Sequence, residues 1–215
     1  MALVGNPNAG KTTLFNALTG LRAKTANFPG TTIERRVGHA WLDGARVKIL
    51  DLPGLYSLSD VTAEERVVHE LLLGKNPVEG RPKAVVLLVD ATNLERNLYL
   101  ASQVLELGLP TIVALNMVDV AEKARIDIDV VRLAADLQCQ VIPVSARTGR
   151  GVDVLAQQLA GLVDSSVGSS ARELSEAICN CQGCPYEARY DWAEEVGRRC
   201  QTRHGVSGPQ QTDRL

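Results

Sequence analysis

Gly5-Asn6-Pro7-Asn8-Ala9-Gly10-Lys11-Thr12 sets two glycines, a lysine and a hydroxyl at the spacing G-x-x-x-x-G-K-[ST]. Glycine lets the backbone curl so that successive N–H groups face inward and hold phosphate oxygens. A helix starting at Lys11 would aim its positive end at the same point. Lys11 then reaches the β- and γ-phosphates, and the Thr12 hydroxyl binds Mg²⁺. Asn116-Met117-Val118-Asp119 could name the base. Guanine offers an N1–H beside an exocyclic amine, and the Asp119 carboxylate can accept from both. Adenine cannot make that pair and would leave a charge poorly solvated. Asn116 would brace the loop and the base. Asp51-Leu52-Pro53-Gly54 supplies a carboxylate for Mg²⁺, held through water, and a backbone N–H at Gly54 for the γ-phosphate. Ser145-Ala146 forms a further candidate loop, and Thr31 or Thr32 should offer a hydroxyl that ligates Mg²⁺ and senses the γ-phosphate.

Each motif needs a rigid support, and the pattern of apolar residues predicts one. Residues 2–4 read as a strand entering the glycine-rich turn, and 11–18 as a helix with Leu14, Phe15 and Leu18 on one side. Residues 21–32 have no apolar period and read as a loop. Alternation over 36–42 and 46–50 around Asp43-Gly44 predicts a hairpin. Wholly apolar runs at 84–89 and 111–115 predict strands buried on both faces. Helices are expected over 63–73, 94–107, 129–137 and 151–163, with a last strand over 140–144. The order predicts an α/β fold: a doubly wound, mostly parallel six-stranded sheet with one antiparallel edge strand. Ligands bind such sheets beyond the carboxyl ends of the strands. Four of the five motifs follow predicted strands there.

Composition narrows the classes. The formal net charge of −2 gives no basic surface for nucleic acid. No apolar run approaches the ~18–20 residues that cross a bilayer, and the first residues lack the pattern of a signal peptide. The chain as given reads as soluble. Five cysteines in uneven positions argue against a disulfide framework and fit a reducing cytosol. The expected organisation is a nucleotide-binding domain over 1–165, a Ser/Gly linker near 165–170, and a short helical appendage over 171–215 with helices at 171–178 and 186–203.

Together the motifs resemble the small G-protein superfamily, and longer stretches narrow the resemblance. Gly5-Asn6-Pro7-Asn8-Ala9-Gly10-Lys11-Thr12-Thr13-Leu14-Phe15-Asn16-Ala17-Leu18-Thr19-Gly20 is similar to the ferrous iron transport protein B family, FeoB. So are Asn27-Phe28-Pro29-Gly30-Thr31-Thr32-Ile33-Glu34, Asp51-Leu52-Pro53-Gly54-Leu55-Tyr56-Ser57-Leu58 and Val89-Asp90-Ala91-Thr92-Asn93-Leu94-Glu95-Arg96-Asn97-Leu98. The resemblance covers about residues 1–165, puts Thr32 at the Mg²⁺-sensing position of the first switch, and likens Ser145-Ala146 to the last guanine-contacting loop, where the Ala146 amide would meet the guanine carbonyl. It implies a GTPase that binds GTP and GDP with Mg²⁺ and regulates ferrous iron uptake across the bacterial inner membrane. The domain would be cytosolic, with the membrane region of the same polypeptide as its partner, homo-oligomers left open and no nucleic acid. GTP would order the loops 21–33 and 52–63, and hydrolysis would release them. Leu55 stands where many G proteins carry a glutamine that orients water, which implies slow hydrolysis. An asparagine at Asn8 implies a K⁺ beside the phosphates, doing the electrostatic work of an arginine finger. The catalytic set expected on these grounds is Lys11, Thr32, Gly54 and Asn8.

Cys179-x-Cys181-x-x-Cys184, with Cys200 further on, could offer sulfur ligands to Zn²⁺ or an iron–sulfur cluster, although the spacing fits no common template. Trp41 and Trp192 read as packing residues, and Glu64, Glu65 and Arg66 as a solvated helix face. The rival reading is a soluble G protein of another class, serving ribosome assembly or RNA modification. The acidic balance counts against it.

Overall fold

Apolar runs of strand length, each followed by an amphipathic helix, can bury both faces only by stacking side by side between two helical layers. A computed structural model of the chain, describing residues 1–21, 23–76, 78–164 and 185–204, has this architecture. In chain order the elements are β1 (Ala2–Gly5), α1 (Lys11–Thr19), β2 (Ala23–Asn27), β3 (Glu34–Leu42), β4 (Ala45–Asp51) and α2 (Ala63–Leu72). There follow β5 (Val85–Asp90), α3 (Leu94–Glu106), β6 (Thr111–Asn116), α4 (Val118–Lys123) and β7 (Ile126–Ile128). The last are α5 (Val130–Leu137), β8 (Gln140–Pro143), α6 (Val152–Asp164), α7 (Pro185–Cys200) and β9 (Gln201–Arg203).

The main sheet has seven strands in the order β2-β3-β4-β1-β5-β6-β8, not the six expected. The pairs β4-β1, β1-β5, β5-β6 and β6-β8 are parallel. The additional strand is β2, inside the segment read as a loop. All five of its residues are exposed, so burial left no pattern to read, and its ladder with β3 makes the strand. The antiparallel β3 is therefore one place in from the edge. The Asp43-Gly44 turn forms the expected hairpin, with φ 47° and 80°, which suits the twist of the flanking strands.

Alternation along β5 divides the core. Val85, Leu87 and Val89 join a cluster with α2, α3, α5 and α7, whereas Val86 and Leu88 join one with α1 and α6. The appended helix α7 shares the first cluster through Trp192, Ala193, Val196 and Cys200. Tyr190 stacks on Tyr99 of α3 at 4.3 Å between centroids, and Arg189 bonds Ser102 Oγ at 3.1 Å and pairs with Glu106. The helix expected over 186–203 ends at Cys200, and Gln201–Arg203 instead pairs antiparallel with β7. Trp192 is packed as expected. Trp41 is not: it stands 71% exposed on the outer strands. The expected linker, the helix at 171–178, and Cys179, Cys181 and Cys184 lie outside the described residues.

Candidate functional site

The carboxyl ends of β1, β4, β6 and β8 carry four of the five candidate motifs on one side of the sheet. Between β1 and α1 the backbone turns through two left-handed residues, Asn8 at φ 66° and Gly10 at φ 87°. Gly10 is required twice over. Its φ suits glycine, and a Cβ there would lie 2.2 Å from Asn116 Nδ2. That close approach reflects the central contact of the site. The Asn116 carboxamide, 3% exposed at the end of β6, donates to the Ala9 carbonyl at 2.8 Å and accepts from the Ala146 amide at 2.9 Å. One side chain thus ties the loop after β1 to the loop after β8.

Lys11 and Thr12, in the first turn of α1, converge on Asp51 at the end of β4. Lys11 Nζ lies 2.5 Å from Oδ1, and Thr12 Oγ1 donates to Oδ2 at 3.1 Å. A carboxylate and a hydroxyl at contact distance form the oxygen donor set that a hard divalent cation takes, with water completing its shell. Mg²⁺ therefore fits here. The same lysine can turn from the carboxylate to a phosphate oxygen, since either satisfies its charge. Gly54 sits against the loop, where a Cβ would come 2.9 Å from Pro7 Cα. The next residue, Leu55, sends its N–H to the Gly5 carbonyl at 3.2 Å and buries its side chain in the core. It cannot position a water.

Met117, at φ 64°, turns the chain from β6 into α4 within one residue, which leaves Asp119 in the first turn of that helix. Asp119 Oδ2 accepts from Arg147 Nη2 at 2.7 Å, and this guanidinium holds the Asp119 carboxyl below the usual carboxylate range. The loop carrying Arg147 is closed by Ser145, whose N–H bonds the Arg150 carbonyl and whose carbonyl accepts from Gly149. Asn116, Asp119, Ser145 and Ala146 are therefore held together by bonds among their own loops.

Thr31 and Thr32 stand apart from this cluster. Thr31 Oγ1 is spent locally, donating to the Phe28 carbonyl at 3.1 Å and accepting from the Ile33 amide at 3.2 Å. Thr32 is exposed on a groove of about 800 Å³ between its loop and α2, shared with Arg66 and Glu70. Asn8 is exposed in the turn between β1 and α1, and Thr13 is exposed beside the half-buried Thr12.

Several contacts around the site were not legible as motifs. Asn6 is buried, donates to the Arg96 carbonyl at 3.3 Å and leaves its Oδ1 without a partner, so the loop after β1 is pinned to α3. Arg96 also lies over the Tyr56 ring at 4.2 Å, joining α3 to the segment after Gly54. Asn97 accepts from the Asp90 amide at 3.2 Å and donates to the Asn93 carbonyl at 2.8 Å, which explains an asparagine four residues into α3. Glu65, read as part of a solvated face, is buried. It accepts from Ser57 Oγ and from the amides of Val61 and Thr62, and completes a capping box with Thr62. The period showed the helix but not that its first turn folds back on its own cap. Cys200 is buried against α5, with Sγ 3.5 Å from Asp136 Oδ2; burial, then Asp136, raises its thiol to about 11. Among the described residues no group of His, Cys, Asp and Glu is arranged to hold a metal ion through such side chains alone.

A family model described as ferrous iron transport protein B matches residues 1–159. The Fe(2+) transporter FeoB of Salmonella typhimurium is 46% identical over 155 residues, which is 72% of this chain and 20% of that protein. The FeoB of Escherichia coli K12 matches to the same extent. The chain thus spans about one fifth of the length of these relatives. Among solved structures, a GDP-bound mutant of S. thermophilus NFeoB superposes with a TM-score of 0.77 at 30% identity, covering 94% of this chain and 98% of that one. The cytosolic domain of L. pneumophila FeoB gives 0.75 at 32% identity, covering 94% and 99%. The GMPPNP form of the T. maritima cytosolic domain gives 0.80 at 25%, covering 94% and 98%.

Proposed function

Since the chain belongs to the ferrous iron transport protein B family, we propose that it binds GTP and GDP with Mg²⁺, hydrolyses GTP slowly, and regulates ferrous iron uptake. It does so as the cytosolic G domain of a longer inner-membrane protein, whose membrane region is its partner. The observation that carries this reading is the Asn116 side chain, bonded to the Ala9 carbonyl at 2.8 Å and the Ala146 amide at 2.9 Å. It brings a phosphate-binding turn and a base-binding loop into one rigid unit. The related S. thermophilus structure bound to GDP and the T. maritima structure in its GMPPNP form support guanine as the base.

In this reading the amides of residues 6–13 cradle the phosphates, Lys11 neutralises the β- and γ-phosphates, and Asp119 selects guanine from its position in α4. Thr12 and Asp51, with Thr32 brought in from its loop, would hold Mg²⁺, which supplies charge neutralisation on the β- and γ-oxygens. Gly54 offers its amide to the γ-phosphate. The burial of Leu55 supports slow turnover, because no side chain at that position reaches a water. Asn8, exposed in the turn between β1 and α1, is the residue expected to ligate K⁺.

Competition against a fluorescent GDP analogue tests the assignment. GTP and GDP should displace it at concentrations at least about a hundredfold below ATP. Equal displacement by ATP would remove the guanine reading. GTP turnover in KCl should exceed that in NaCl, and equal rates would dismiss K⁺ at Asn8.

A further inference from the structure

We propose that the outer face of the β3-β4 hairpin, carrying His39, Trp41, Arg46 and Lys48, docks on an anionic phospholipid surface. The hairpin register sets Trp41 opposite Arg46 and His39 opposite Lys48. Residues directly opposite share a face, and each strand alternates its side chains between faces. Ala40, Leu42, Val47 and Ile49 therefore lie on the other side, where they are buried with Leu14 and Phe15 of α1. Lys24 of β2 stands opposite Val37, and so on the face of His39 and Trp41. The surface is the flat of the sheet, not its edge.

Exposure follows the same division. Trp41 is 71% exposed, and Lys24, His39, Arg46 and Lys48 are exposed with it. Between Arg35 and Leu50 the hairpin holds one carboxylate, Asp43, in its turn. Glu79 approaches from the loop after α2, but Arg35 and Lys48 share it. Lys24 and Arg46 have no carboxylate partner among the described residues. Partial desolvation, then the fields of Arg46, Lys48 and Lys24, hold the His39 imidazole below its ordinary value. The whole chain carries −2, so this positive field is local. An anionic surface would attract this face and repel the remainder, which selects one orientation.

The occupant follows from the proposed function, on which it rests: a cytosolic domain joined to an inner-membrane protein has an anionic leaflet beside it. Lysine and arginine reach lipid phosphates on long apolar stems, and tryptophan settles at the level of the headgroups. A leaflet is laterally continuous, so a flat patch meets it without a matching pocket. Each Lys or Arg near such a surface strengthens attachment about fivefold. Three such residues bind weakly alone, but a tether to the membrane raises the local concentration and makes weak attachment enough to orient the domain. Arg46 lies near the start of β4 and Asp51 at its end. The candidate nucleotide site therefore stays clear of the docked surface.

The test is attachment of the 215-residue chain to phosphatidylglycerol vesicles at low salt, read by sedimentation and by quenching of Trp41 with brominated phosphatidylglycerol. Sedimentation is expected with these vesicles, with none on phosphatidylcholine. Trp192 is buried, so Trp41→Phe should remove the quenching. Lys24→Glu with Arg46→Glu, both on exposed side chains, should weaken attachment by about 25-fold or more. Lys123→Glu with Arg132→Glu makes the same charge change on α4 and α5, and should leave attachment nearly unchanged. The proposal falls if phosphatidylglycerol does not sediment the chain, if phosphatidylcholine does so equally, or if the α4 and α5 pair weakens attachment as much. It falls too if poly-glutamate perturbs Trp41 and the vesicles do not. Fluorescent GDP is titrated into the same samples. A chain that selects GDP yet ignores the vesicles refutes the docking alone. A chain that binds no guanine nucleotide overturns the proposed function and the docking with it.

Discussion

Replacing Asn116 with alanine removes one carboxamide and orphans two backbone groups. The Ala9 carbonyl loses its 2.8 Å donor, and the Ala146 amide loses its 2.9 Å acceptor. Both residues are buried, at 1% and 7% exposure. An unsatisfied buried donor or acceptor costs about 1–3 kcal/mol, so the pair costs about 2–6 kcal/mol. Water entering the vacated polar space recovers part of this, which sets the expected loss near 3 kcal/mol. Domains of this size are stable by about 5–15 kcal/mol, so the variant should still fold. Urea denaturation followed by far-UV circular dichroism gives the loss, provided the slope stays constant. Titration with fluorescent GDP should show affinity falling by about a hundredfold or more, because both the phosphate turn and the base loop lose their brace. Asn116→Asp is the informative companion. It can still accept from Ala146 but cannot donate to Ala9, and its charge faces a carbonyl, so it should be at least as damaging. A loss below about 1 kcal/mol with GDP affinity unchanged would refute the claim that this side chain holds the two loops together.

Other consequences follow from the same geometry. Arg147→Ala frees the Asp119 oxygen that the guanidinium occupies at 2.7 Å, so GDP should associate more tightly, by about threefold for an exposed ion pair. Stopped-flow binding measures this, and a weaker variant would contradict it. The same pair keeps Asp119 ionised below the ordinary carboxylate range, a contribution present above the unfolded pKa and lost as pH falls through the folded one. Guanine selectivity of Arg147→Ala should therefore fail at a higher pH than that of the parent in a pH series. Gly54→Ala places a methyl 2.9 Å from Pro7 Cα, a backbone atom that cannot simply rotate aside. GTP affinity should drop about tenfold while GDP is less affected, as competition titration would read. Cys200, raised to about 11, should resist iodoacetamide at pH 8 in the folded chain and react on unfolding in urea. Its stabilising contribution is present below the ordinary thiol value and is lost as pH rises toward 11.

The parallel sheet was legible because each central strand is apolar on both faces, and the hairpin because Asp-Gly adopts positive φ readily. The loops that carry the candidate motifs were legible because their residue types and spacing are narrow. The misses share a cause: residues placed by pairing or by polar bonds leave no hydrophobic period. The strand Ala23–Asn27 exists through its ladder with β3, and Gln201–Arg203 through Ile126–Ile128. Glu65 looks like any exposed glutamate until Ser57, Val61 and Thr62 are seen to bond it. The threonines of the early loop were read for chemistry, yet their present positions are set by local turn bonds and a groove on α2.

The packing of Leu55 and Leu58 limits how far a nucleotide signal can move the chain. Both are buried, and the Leu58 amide is held by Gln103 at 2.8 Å. Lifting two leucines into water costs about 3–6 kcal/mol, comparable to what a γ-phosphate could supply through a few bonds. Motion should therefore concentrate beyond this anchor, near Asp60 at φ 58° and the exposed Val61. A signal leaving this region travels as a short displacement of a stiff lever into α2, rather than as a flap swinging open.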